Sequence, residues 1–224
     1  MLTIPIERKS TFSWESFDLL GNLIDDPDAF AVVEGSPFKT LKELTEYAKA
    51  NPGKVTVGTT GTGSDDHLAM LMFEKATGTK LSHVPYKGAA EVRGAVASGQ
   101  IMMAAMNVGE VLQYIKGGTP LVLLGQMANK RSILAPNVPT FAEQGIKIEL
   151  ASLRGLGAPK GLPLAVNDKL VKAVAQAAND PEYIKKAADM FAPTRFLAPK
   201  AYATELKAND IIFKQLWKDM PWQE

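Results

Sequence analysis

The stretch Gly58-Thr59-Thr60-Gly61-Thr62-Gly63-Ser64 lies between a short apolar run and a segment with helical spacing. A loop that opens a helix presents backbone N–H groups with no intrahelical partner and a partial positive charge, which suits a carboxylate or phosphate. Gly61 and Gly63 permit close backbone approach and positive φ, while Thr59, Thr60, Thr62 and Ser64 add hydroxyl donors. The same residues also make a plain helix start, with Thr62 or Ser64 as the capping residue and no ligand. Stricter phosphate signatures are not met. No Lys precedes Ser64, as a P-loop requires, and Asp66 stands where the dinucleotide motif needs its third glycine.

Ser64 and His67 are one helical turn apart, which raises a nucleophile and its base. Their flanks, Gly63 and Asp65, do not form a Gly-x-Ser-x-Gly elbow, so a hydrolase or transferase using Ser64 and His67 is the weaker alternative. With His67 and His83 the only histidines and no cysteine, a metal site would rest on carboxylates such as Asp65 and Asp66. Acids at a helix start are explained by the helix dipole, so neither a metal nor any other cofactor is expected. A second candidate is His83-Val84-Pro85-Tyr86-Lys87-Gly88, a strand end that carries a phenol and an ammonium. Lys87 alone reads as a surface lysine. In open α/β sheets, however, ligands gather at the carboxyl ends of the strands, where this tip and the glycine loop both belong. At a third strand end Asn107 offers an amide, beside Met102, Met103 and Met106 as core filler.

The elements that must position these groups follow from periodicity. Asp25-Asp26-Pro27-Asp28 reads as a turn before the strand Ala29–Val33, and the first twenty residues have no evident assignment. Leu41, Leu44 and Ala48 mark a helix stopped by Asn51-Pro52-Gly53. Strands are then expected near 55–58, 81–84, 101–106 and 121–126, alternating with helices through 68–72, 89–98 and up to Ile115. This alternation predicts a mainly parallel sheet with helices on both faces. A long strand is expected over Ile146–Gly157, then helices over 164–179, 181–191 and 199–217 with a brief strand at 194–197.

Composition narrows the function. The chain has 224 residues and a formal net charge of +1, so no global field draws it to nucleic acid or acidic membranes. Residues 1–38 hold seven acids and two bases, net −5, which leaves +6 for the rest, an excess that suits a small anion. No apolar stretch approaches the roughly 18 residues that span a bilayer, and the start lacks the order of a secretory signal.

Several segments together resemble the substrate-binding receptors of the tripartite tricarboxylate transporters, the Bug family. They are Ser36-Pro37-Phe38-Lys39-Thr40-Leu41, Asn51-Pro52-Gly53-Lys54, Gly61-Thr62-Gly63-Ser64 with His67-Leu68, and Val84-Pro85-Tyr86-Lys87-Gly88. Ser98-Gly99-Gln100, Arg131, Pro136-Asn137-Val138-Pro139-Thr140, Glu143-Gln144-Gly145 and Ala158-Pro159-Lys160-Gly161-Leu162-Pro163 extend the likeness over about residues 30–217. The resemblance implies an α/β fold of the periplasmic binding protein type II arrangement, with two Rossmann-like lobes and mainly parallel sheets. Residues 38–150 would form the second lobe, and residues 1–37 with 151–224 an incomplete first lobe. It also implies a periplasmic, monomeric receptor, not an enzyme, that closes on a small carboxylate and delivers it to membrane permease subunits. Thr59–Ser64, His67, Tyr86, Lys87 and Asn107 would line the ligand. The family pattern is joined at about Phe17, so the chain is expected to be truncated, without the signal peptide and the first ligand loop. A degenerate receptor acting as a sensor module is a further alternative. Where the family places aspartates along a strand, Met102-Met103-Ala104-Ala105-Met106 leaves only Asn107, which favours a ligand with carboxylates and no ammonium.

Overall fold

The computed structural model describes residues 2–222. The elements in chain order are α1 (Ile4–Glu7), β1 (Phe17–Val33), α2 (Leu41–Ala50), β2 (Thr56–Thr59), α3 (Asp65–Thr77), β3 (Ser82–Pro85), α4 (Ala89–Ala97) and β4 (Met103–Asn107). They continue with α5 (Val108–Lys116), β5 (Leu121–Gln126), β6 (Ala151–Pro159), α6 (Leu164–Ala178), α7 (Pro181–Asp189), β7 (Thr194–Leu197) and α8 (Pro199–Asp219). Local chemistry sets many of the ends. At α2, Thr40 Oγ1 accepts from Glu43 N at 3.1 Å while Glu43 Oε2 accepts from Thr40 N at 3.1 Å, a reciprocal cap. At α7, Asp180 accepts from the N–H groups of Glu182 and Tyr183, and Pro181 supplies a preset φ in the first turn. Gly78 ends α3 in the left-handed conformation.

The chain divides into two compact units, one of residues up to Asp25 together with those from Leu153, the other Asp26–Ser152. The second carries a sheet in the order β3-β2-β4-β1-β5. β2 runs parallel to β3 and β4, whereas β1 is antiparallel to both β4 and β5. Four strands therefore share one direction and one opposes them, so the sheet is mainly parallel as the sequence predicts. Its core is built on Phe30, Phe73 and Phe141, with ring centroids 5.1 Å and 5.2 Å from Phe30 to the other two. Val92, Val96, Ile101, Met106 and Val111 form another cluster that joins α4 and α5 to the sheet. In the first unit β6 and β7 pair with the opening part of β1, and α6 contributes Val174 to a cluster with Leu20 and Ala158.

Four expectations change. Asp25-Asp26-Pro27-Asp28 is not a turn but the middle of the 17-residue β1. Asn22 and Ile24 pair with β7, and pairing with β4 begins at Asp28, so Pro27 falls between the two paired stretches. There its missing N–H leaves no ladder bond unmade. The first twenty residues acquire a short α1, a 3₁₀ turn at Trp14–Ser16 capped by Ser13, and the opening of β1. The strand expected from Ile146 starts at Ala151, because Ile148 N–H and Leu150 N–H bond to Ile146 and Met127 in an irregular run. The division proposed at residues 37 and 38 falls instead at Asp25–Asp26, since the second half of β1 is paired inside the second unit.

Candidate ligand-binding site

β2 ends at Thr59 and β3 at Pro85, its register partner, so the glycine loop and the Tyr86-Lys87 tip leave the sheet side by side. Tyr86 N–H donates to Thr59 O at 2.9 Å and ties the tip to the loop. Gly61 and Gly63 have φ of 122° and 73°, which an L side chain rarely adopts, so the glycines set the path of the loop. Ser64 caps α3: its Oγ accepts from His67 N at 3.2 Å and donates to Gly61 O at 2.7 Å. Thr59 Oγ1 lies 2.7 Å from His83 Nε2. His67 Nδ1 accepts from Gly63 N at 3.1 Å, which places its proton on Nε2.

The two imidazoles stack with centroids 3.7 Å apart. Burial, and then the neighbouring His83, pull His67 down to about 3, and burial pulls His83 down as well. A neutral pair is the outcome, since stacked imidazolium ions would repel in a dry site. Ser64 meets the backbone of His67 rather than its ring, so no nucleophile and base pair is formed by these two side chains.

A second feature was weighed only in part from sequence. One oxygen each of Asp28, Asp65 and Asp66 lies within 4.8 Å of the others. At that separation and an effective dielectric of about 20, each pair of charges repels by roughly 3 kcal/mol. Burial pushes the Asp28 carboxyl well above the usual carboxylate range, reinforced by Asp65, Asp66, Asp26 and Glu110. Asp66 is also raised by burial and then by Asp65, against the hydrogen bonds from Thr60 that pull it down. Those bonds, from Thr60 N at 3.0 Å and Thr60 Oγ1 at 2.6 Å, both fall on Asp66 Oδ2.

Asn107 joins the group, since its Nδ2 donates to Asp65 Oδ2 at 3.3 Å and to Asp26 O at 3.2 Å. The carboxyl groups that β4 lacks are thus placed beside Asn107 by β1 and α3. Hydrogen bonds link Thr59, Gly61, Ser64, His67 and Gly63 in one series, Thr60 to Asp66, and Asn107 to Asp65. Thr62 is half-buried and bonds to none of them, Tyr86 packs on the α4 cluster, and the Lys87 side chain is exposed. Asp28 lies in an acidic run that mimics a turn, which hides it from the sequence, and His83, part of the second candidate segment, gains its contacts with Thr59 and His67 only in the fold.

The family profile described as "Tripartite tricarboxylate transporter family receptor" matches residues 6–197. A UPF0065 protein in the gbd 5' region of Cupriavidus necator is 36% identical over 182 residues, 81% of this chain and 55% of that protein. The chain spans about half the length of the curated relatives it matches. Among solved structures, the periplasmic binding protein BugD has a TM-score of 0.81 at 28% identity, over 97% of this chain and 74% of that one. R. palustris Rpa4515, solved with adipate, has a TM-score of 0.84 at 24% identity, over 94% of this chain and 71% of that one, and shows the shared fold alone. Receptors of this kind are periplasmic solute-binding proteins, not enzymes. With a match that runs over residues 6–197, this chain belongs to the receptors of the tripartite tricarboxylate transporters, the family that includes the Bug proteins.

Proposed function

We propose that the protein captures a small organic carboxylate, a di- or tricarboxylate or a related acid, in the periplasm. As a monomer it delivers the ligand unaltered to membrane permease subunits. The observation that carries this reading is the start of α3. There the N–H groups of Thr62, Asp65 and Asp66 have no protein hydrogen-bond partner among the described residues. Such N–H groups at a helix N-terminus stabilise an anion. Burial raises the proton affinity of Asp28 and Asp66, which lessens the penalty of placing an anion beside them. Tyr86 and Lys87, at the adjoining strand end, add a phenol and an ammonium.

A thermal-shift and calorimetric screen of succinate, malate, adipate, citrate and aromatic acids tests the reading. At least one acid should raise the melting temperature, with a dissociation constant on the order of micromolar, about −8 kcal/mol. Mass spectrometry should recover that acid unchanged. Absence of any response across the panel overturns carboxylate capture, and turnover overturns the receptor role.

A further inference from the structure

We propose that Asp28, Asp65 and Asp66 form a binding site for a hard divalent cation of the calcium or magnesium class. The helix dipole accounts for Asp65 and Asp66, the first two residues of α3, but not for Asp28, which comes from the middle of β1. Asp28 is fully buried, and both of its carboxylate oxygens lack a hydrogen-bond partner among the described residues. Its neighbour Asp26 differs, with Oδ1 accepting from Gly109 N at 3.0 Å. A buried carboxylate that serves no cap, ladder or ion pair, and that points an oxygen to within 4.8 Å of two others, is placed to ligate.

The donor chemistry selects the cation. The chain has no cysteine, and the two nearby imidazoles are engaged, His67 Nδ1 by Gly63 N–H and His83 Nε2 by the Thr59 hydroxyl. What remains is oxygen, the donor of calcium and magnesium rather than zinc or copper. The surroundings also hold the ligands in place: Asn107 fixes Asp65, while both Thr60 bonds fall on one oxygen of Asp66. Outer contacts of this kind orient ligating carboxylates. Three carboxylates with the rest of the shell from water suit a dissociation constant between about 0.01 and 1 mM.

The test is calorimetric titration of the EDTA-stripped chain with CaCl2 and with MgCl2, in carboxylate-free buffer, with NaCl at matched ionic strength as the control. One saturable site for at least one of the two ions is expected, with a rise in melting temperature that NaCl does not reproduce. Asp28→Asn should weaken binding at least tenfold. Asp65→Asn, at a half-buried position, should do the same and serves if Asp28→Asn does not fold. No saturable site for either ion up to about 10 mM overturns the proposal. Unchanged affinity in a folded Asp28→Asn or Asp65→Asn protein also overturns it. No carboxylate ligand is present, so the result is independent of the function proposed above.

Discussion

Glu74 reaches out of α3 to accept the N–H of Leu81, and burial pushes its carboxyl above the ordinary value of 4.5, against that bond and Lys80, which pull it down. Below 4.5 the carboxyl is protonated in both folded and unfolded chains. Between 4.5 and the raised folded value the native state holds the extra proton, so stability falls as pH rises through that window. Glu74→Gln keeps an acceptor and removes the titration. The urea midpoint of the wild type relative to Glu74→Gln should therefore decline from pH 4 upward, and a flat difference would refute the assignment. Glu74→Ala should cost about 1–3 kcal/mol at any of these pH values, because it strands a buried N–H. Gly63 poses a backbone question instead. At a φ of 73°, Gly63→Ala should cost about 1–2 kcal/mol by chemical denaturation and weaken any carboxylate found in the screen. Full retention of both stability and binding would separate the loop path from ligand capture.

Elements show how much the sequence could reveal. The unit β2, glycine loop and α3 was legible because apolar runs, glycine spacing and a capping serine all act within a few residues. Of β1 only the apolar end Ala29–Val33 is legible, because the partners of the rest are distant: Asn22 Nδ2 donates to Arg195 O, 173 positions away, and Asp28 pairs with Asn107. An acidic stretch with a proline looks like a turn until those partners are known. The same limit hides the third member of the carboxylate cluster, since Asp28 meets Asp65 and Asp66 only after β1 enters the sheet antiparallel to β4. Packing at β2 gives a test of the element itself. A Cβ at Gly58 would lie 2.4 Å from Ile101 Cδ1 and 3.2 Å from both Tyr86 and Val92. Gly58→Ala should cost about 1–3 kcal/mol from overpacking, and Ile101→Val alone about 0.5–1.5 kcal/mol from a lost methyl. Since the methyl removed is the one that clashes, the double variant should be more stable than the sum predicts. Simple additivity in urea unfolding would show that β2 yields elsewhere.

At the scale of the molecule, the uneven charge along the chain is redistributed by folding. Asp18 meets Lys160 at 3.7 Å and Asp25 pairs with Arg195, so part of the acidic first 38 residues is neutralised inside the first unit. Asp28, from the same stretch, instead brings a buried carboxyl to the start of α3, where the proposed anion site lies. A carboxylate ligand is repelled by whichever of the three aspartates are ionised, and a divalent cation, which holds them ionised, changes the sign of the net interaction. The two proposals therefore predict coupling: a carboxylate from the screen should bind at least tenfold tighter in saturating CaCl2 or MgCl2 than in EDTA, about 1.4 kcal/mol. Linkage requires the same factor in reverse, so the carboxylate must tighten the cation to the same degree. Titrating each ligand with and without the other measures both factors. Equal carboxylate affinities in cation and in EDTA would break the coupling and assign the aspartate cluster a role separate from capture.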